Sequence, residues 1–92
     1  MNDLEASFLI WAARNPGVVG LFFKFADLAW DSGRRPFGAK MIVERIRWEM
    51  ATRKDSHEDF KINNNYTAYL ARMYVRRNPE RDSLFKFRET RR

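Results

Sequence analysis

The sequence predicts a mainly α domain: four helices and a short C-terminal β element, in an order compatible with a winged helix-turn-helix. Three observations carry this. Apolar residues recur at three- and four-residue spacing in four stretches. Two Asn-Pro pairs, Gly33 and an asparagine run punctuate those stretches. The last apolar stretch, Leu84-Phe85-Lys86-Phe87-Arg88, alternates instead, which is the period of a strand. A chain of 92 residues is long enough for one domain and not for two.

The first helix covers Leu4 to Arg14, where Leu4, Phe8 and Trp11 have helical spacing. Asn15-Pro16 ends it, because proline lacks a backbone donor and biases the preceding residue away from helix. The same pair opens the second helix, over 16–32. Asn15 suits its N-cap through the side-chain oxygen, and Pro16 suits its first position. Apolar side chains cover nearly the whole circumference of this helix, broken only by Lys24 and Asp27. Such a helix is buried on several sides or sits in a homodimer interface. Gly17 and Gly20 inside it are expected to permit close packing. Gly33 is placed as a left-handed C-terminal cap.

A third helix is expected from Ala39 to Arg53. Its apolar face is Ala39, Ile42, Val43, Ile46 and Met50, widened by Met41 and Trp48, with Glu49 paired to Arg53 on the polar side. The polar run 54–59 reads as a loop, and Phe60-Lys61-Ile62 as a very short strand. Asn63, Asn64 and Asn65 are placed to cap the fourth helix, over 65–78, which stops at Pro79. Its core face is Tyr66, Leu70, Met73 and Tyr74, and a separate stripe holds Asn65, Tyr69, Arg72 and Arg76. After a turn over 79–83 comes the alternating segment, with Phe85 and Phe87 on one face and Lys86 and Arg88 on the other.

In the winged arrangement the third helix supports the fourth, and the segment around Phe37 pairs with 84–88 as the start of a wing. Two features count against it. The connection over 54–63 is longer than the usual 3–4-residue turn, and a wing needs a hairpin where one clear strand is visible. The alternative is a helical domain with a ribbon formed by 60–62 and 84–88.

Composition bounds the function. There is no cysteine and a single histidine, His57, which excludes thiolate and multi-histidine metal sites. No apolar run approaches the roughly 18 residues of a membrane span, and the acidic start MNDLE is unlike a secretory signal. The expected location is therefore the cytoplasm. The net charge of +6 is unevenly spread. Residues 1–33 hold two basic and four acidic side chains, and residues 34–92 hold 16 and eight. An apolar scaffold beside a basic remainder points to a polyanion surface on one part only.

The sharpest candidate is the stripe on the fourth helix. Asn65, Tyr69, Arg72 and Arg76 project from one side. Arginine binds guanine edges or phosphates through paired donors, asparagine pairs with adenine, and Asn64 lies at the helix N-terminus where phosphates are favoured. Against this stands a solvated helix face with a structural cap. The second candidate is the terminal arm, where Lys86, Arg88 and Arg91 would rest on a phosphate backbone; the plain reading is an edge strand protected by charge. Arg34-Arg35 reads as a solvated pair at a turn. Aromatic residues are 15% of the chain. Most sit at core spacing, and only Tyr69 lies beside arginines. Asp55, His57, Glu58 and Asp59 crowd one loop, yet no second histidine, ion-binding spacing, phosphate-binding glycine motif or Ser/His/Asp set accompanies them. No catalytic residue, metal site or cofactor is assigned.

The stretches FGAKMIVERIRWEM at 37–50, DFKINNNYTAYLARMYVRRNPE at 59–80 and FKFRETRR at 85–92, with Asn15-Pro16, form a pattern that resembles a family of small, largely uncharacterised proteins of bacteria and their phages. The resemblance implies a cytoplasmic, phage- or prophage-type protein and carries over no catalytic residue. The expected function is non-enzymatic binding of nucleic acid, double-stranded DNA in the first place. The alternative is a phage-encoded effector that binds an acidic or hydrophobic surface of a host protein complex.

Overall fold

The computed structural model describes residues 2–53 and 61–87. Four helices, α1 (Asp3–Arg14), α2 (Pro16–Asp31), α3 (Ala39–Ala51) and α4 (Tyr66–Arg77), are followed by a single 3-10 turn, Pro79–Arg81. The mainly α expectation is met. α2 occupies the centre and packs against α1, α3 and α4. That placement accounts for its nearly continuous apolar surface. Val18, Phe22, Ala26 and Ala29 are buried, and Leu21, Phe23, Phe25 and Trp30 are half-buried. The core is completed by Phe8 of α1, by Ile42, Val43 and Ile46 of α3, by Tyr66, Leu70, Ala71 and Tyr74 of α4, and by Ile62, Leu84 and Phe85. Each large side chain so removed from water contributes about 1.5–3 kcal/mol before entropy is charged against it.

The two Asn-Pro pairs build the same corner. Asn15 (φ −130°, ψ 56°) and Asn78 (φ −134°, ψ 66°) have nearly equal dihedrals. Asn15 Nδ2 donates to the Trp11 carbonyl at 2.8 Å, and Asn78 Nδ2 donates to the Tyr74 carbonyl at 3.0 Å. The Asn15 side chain satisfies a carbonyl that its own backbone amide, bonded to Ala12, leaves free, and the Asn78 side chain adds a second donor to the carbonyl its amide already holds. In both corners the proline starts the next helical turn. This corrects the expected role of Asn15, whose side chain serves the end of α1 and makes no capping bond to α2. The first corner turns α1 from α2 by 96°. No single described helix is long and apolar enough to cross a membrane; α1 and α2 together have the composition, but they are bent at the corner and both contribute buried side chains to the core. Gly33 closes α2 at φ +81° as expected. A Cβ at Gly17 or Gly20 would meet no atom within 4 Å, so close packing is not their role.

The expected C-terminal β element is not present among the described residues. Leu84 and Phe85 are both buried, at 0% and 5% exposure, so consecutive side chains enter the core and strand alternation is broken. One backbone bond, from the Phe37 amide to the Leu84 carbonyl (2.6 Å), stands where a wing was expected to begin, and it is not continued into a ladder. The alternative ribbon fails as well: Lys61 and Ile62 are irregular, and the Ile62 carbonyl is taken by the Arg47 guanidinium at 3.0 Å. Phe60 and Arg88 lie outside the described residues. With no described strand and a long α3–α4 connection, the winged helix-turn-helix is set aside. Met41 and Trp48 do not widen the core face of α3; they are 54% and 57% exposed. α3 ends at Ala51, so Glu49 pairs backward with Arg45 at 2.8 Å and not forward with Arg53.

Asp27, the acidic break in α2, ties three elements together. Tyr74 donates its hydroxyl to Asp27 Oδ1 at 2.7 Å, and Arg81 donates to the same oxygen at 3.0 Å and to the Tyr74 hydroxyl at 2.8 Å. Burial, then the Asp27 hydrogen bond, raise the Tyr74 phenol above its ordinary 10.0, against an opposing effect of Arg81. A raised folded-state value means folding favours the protonated phenol. Its contribution is complete below about pH 10 and is lost as pH climbs through the raised value. Stability is thus expected to decline above about pH 10. Tyr74→Phe should cost about 1 kcal/mol at neutral pH and flatten that decline. Urea midpoints of the two proteins near pH 9 and pH 11 measure it; parallel losses would show that Tyr74 is not the group responsible.

Candidate nucleic-acid interface

The stripe predicted on α4 divides into two roles. Arg72 and Arg76 are exposed, as is Asn65 just ahead of the helix. Tyr69 turns toward α1. Its ring stacks on Phe8 with centroids 5.3 Å apart and planes 20° apart, and its hydroxyl lies 3.4 Å from Asn2 Oδ1. Tyr69 is therefore half-buried packing between helices, with the Arg72 guanidinium 5.6 Å from its ring centroid. A base cannot take the ring face that Phe8 already covers.

The asparagine run does not cap α4 through its side chains, as the sequence led one to expect. Asn63 Oδ1 accepts from the Asn65 amide at 2.9 Å, and Asn64 Oδ1 accepts from Arg47 at 2.6 Å. Arg47 also pairs with Glu44. The run is thus a turn pinned to α3, and the pin sets where α4 begins. Nothing local in the sequence signals a partnership between positions 47 and 64.

The pin and the Phe37–Leu84 bond together shape a cleft of about 760 Å³. It lies between the start of α3, the first half of α4 and residues 85–87. Asn64, Asn65, Arg72 and Lys86, four of the predicted site residues, line it. Phe85 and Phe87, which the sequence assigned to packing, line it too, with Phe37, which it placed at the start of a wing. Among the described residues no carboxylate does. The first turns of α3 and α4 are also free of acidic residues, so the positive ends of both helix dipoles are uncompensated there. On its other side α4 borders a smaller hollow of about 230 Å³, whose lining Arg72 and Arg76 share with Glu5 of α1. The carboxylate makes that side less attractive to an anion.

The remaining cations differ in availability. Arg35 lies over Trp30, 3.6 Å from the ring centroid, and donates to the Trp30 carbonyl at 2.9 Å, closing the end of α2. Arg45, Arg47 and Arg81 are ion-paired. Arg72, Arg76 and Lys86 form no ion pair among the described residues. Arg88 and Arg91, and the cluster Asp55, His57, Glu58 and Asp59, lie outside the described residues. Among those described, no group of three or more metal-ligating side chains comes together. No known protein family, curated protein or solved structure matches the chain.

Proposed function

We propose that the protein binds DNA without chemistry of its own, by phosphate contacts from Arg72, Arg76 and Lys86. The observation that carries this reading is that two of these exposed, unpaired cations, Arg72 and Lys86, line a cleft with no carboxylate in its described lining, with exposed Arg76 one turn further along α4. Guanidinium and ammonium groups that keep their donors free gain most from phosphate oxygens. α4 is flanked by α1 on one side and by residues 85–87 on the other. That favours backbone contact over insertion into a major groove about 8.5 Å deep. A salt titration tests the proposal. Three contacts correspond to a slope of log affinity against log salt of about −2 to −3, shallower for single strands than for duplex. Binding near background and flat in salt, for both forms of DNA, would remove it.

A second reading, docking of another protein, is favoured by a different face. Leu28 of α2 and Met41 and Trp48 of α3 are 58%, 54% and 57% exposed. Phe25 and Arg45 lie between them, with the guanidinium 5.6 Å from the Phe25 ring centroid and 5.0 Å from that of Trp48. Three large apolar side chains exposed on one pair of helices form an interaction surface more often than scattered ones do. A homodimer, which the sequence placed on residues 16–32, would use this α2–α3 face, since Leu28 is the one large apolar side chain of α2 that is left exposed. Met41→Ser with Trp48→Ser should change stability by no more than about 0.5 kcal/mol and abolish any concentration-dependent sedimentation of the unaltered protein. A sedimentation coefficient of the unaltered protein that is independent of concentration disposes of the homodimer.

A further inference from the structure

Phosphate contact uses only the rim of the cleft beside α4. The floor is apolar and aromatic, and duplex phosphates have no use for it. Phe37 and Phe87 line the cleft and are half-buried, so each keeps accessible surface, and buried Phe85 and Ala71 line it with them. Arg72 and Lys86 stand on the rim, both exposed. A hollow of about 760 Å³ falls within the roughly 300–1,000 Å³ of small-molecule sites, which combine an apolar lining with a few convergent polar groups. Two partly accessible aromatic rings joined to two cations fit a ligand that is itself flat and apolar on its faces and anionic at one end.

We infer that the cleft takes one unpaired nucleotide, its base against Phe37 and Phe87 and its phosphate between Arg72 and Lys86. The inference rests on the nucleic-acid reading and narrows it from phosphates in general to a base with free faces. Bases inside a duplex are covered on both faces by their neighbours, and drawing one out costs stacking and pairing. Every base has a π-face, so such a floor tolerates any sequence. Asn65 and Thr67 at the edge supply a side-chain amide and a hydroxyl for the base edge or sugar, which adds at most a modest preference. The same chemistry describes a nucleotide within a single strand and a free mononucleotide.

The experiment compares three labelled probes of equal length on the whole protein: an oligothymidylate strand, the same sugar–phosphate strand without bases, and a duplex. The thymidylate strand is expected to bind about tenfold tighter than the abasic strand, the contribution of one well-stacked base. Phe87→Leu keeps apolar bulk but removes the flat ring. It should close most of that gap by lowering thymidylate affinity toward that of the abasic strand. The gap itself is read on the unaltered protein, so it does not depend on any variant folding. Competition by thymidine monophosphate then separates the two sources: displacement of the strand assigns the site to free nucleotides, and no displacement assigns it to a nucleotide within a strand. Equal affinities for thymidylate and abasic strands, with salt dependence intact, overturn the base site and leave phosphate contact standing. Absence of salt-dependent binding to all three probes overturns both.

Discussion

Phe22→Ala is expected to destabilise the protein by about 3–5 kcal/mol, the range for deleting a buried aromatic side chain. Phe22 is 0% exposed at the middle of the central helix, and its ring centroid lies 5.9 Å from that of Phe85. Removing it opens a void where α2 meets the segment that follows α4. Small domains have a total stability of about 5–15 kcal/mol, so the variant should be partly unfolded at physiological temperature. Denaturation in urea measures the loss. The contrast is Leu28→Ala on the same helix, 58% exposed, where the change should stay within about 0.5 kcal/mol. Comparable losses in the two variants would mean that α2 does not sit centrally as described.

The second large effect concerns binding. Arg72→Ala with Arg76→Ala should lower the salt slope for duplex DNA by about two, close to one per phosphate contact removed. Neither side chain forms an ion pair among the described residues, and both are exposed. Folding stability should therefore shift by no more than about 0.5 kcal/mol, which separates a lost contact from a lost fold. Arg35→Ala is the matched control. Its guanidinium is committed to Trp30, so the slope should stay put while stability falls. An unchanged slope in the double variant would place the DNA-binding surface elsewhere on the basic portion of the chain.

Helix punctuation was legible in the sequence because it is local. Asn15-Pro16, Gly33 and Pro79 each act through their own backbone geometry, and the helices end where these residues require. The inner face of α3 was legible for the same reason: Ile42, Val43 and Ile46 recur at the spacing of one helix face. The direction in which Asn15 caps was not legible, since its amide can serve either neighbouring helix. Nor was the state of 84–87, where alternation in five residues is equally consistent with two large side chains inserted into a core. Of the site, the cationic half was visible as charge. The aromatic half was read as packing, because Phe85 and Phe87 show the same pattern whether a cleft lies over them or not. Tyr69 was misplaced because an aromatic at the border of a polar stripe has no local mark telling which helix it will meet.

The sequence by itself determined a small, mainly helical domain with a basic remainder, the ends of its helices and the absence of thiol chemistry. These follow from residue type and short-range spacing, where each residue acts on its own turn of chain. The tertiary structure decided which cations remain available and which are consumed. Asp27 finds Tyr74 and Arg81 at separations of 47 and 54 residues, and Arg47 finds Asn64 at 17. Such pairings depend on how helices pack in space, so charge counted along the chain gives a total, and the fold decides where that total can act.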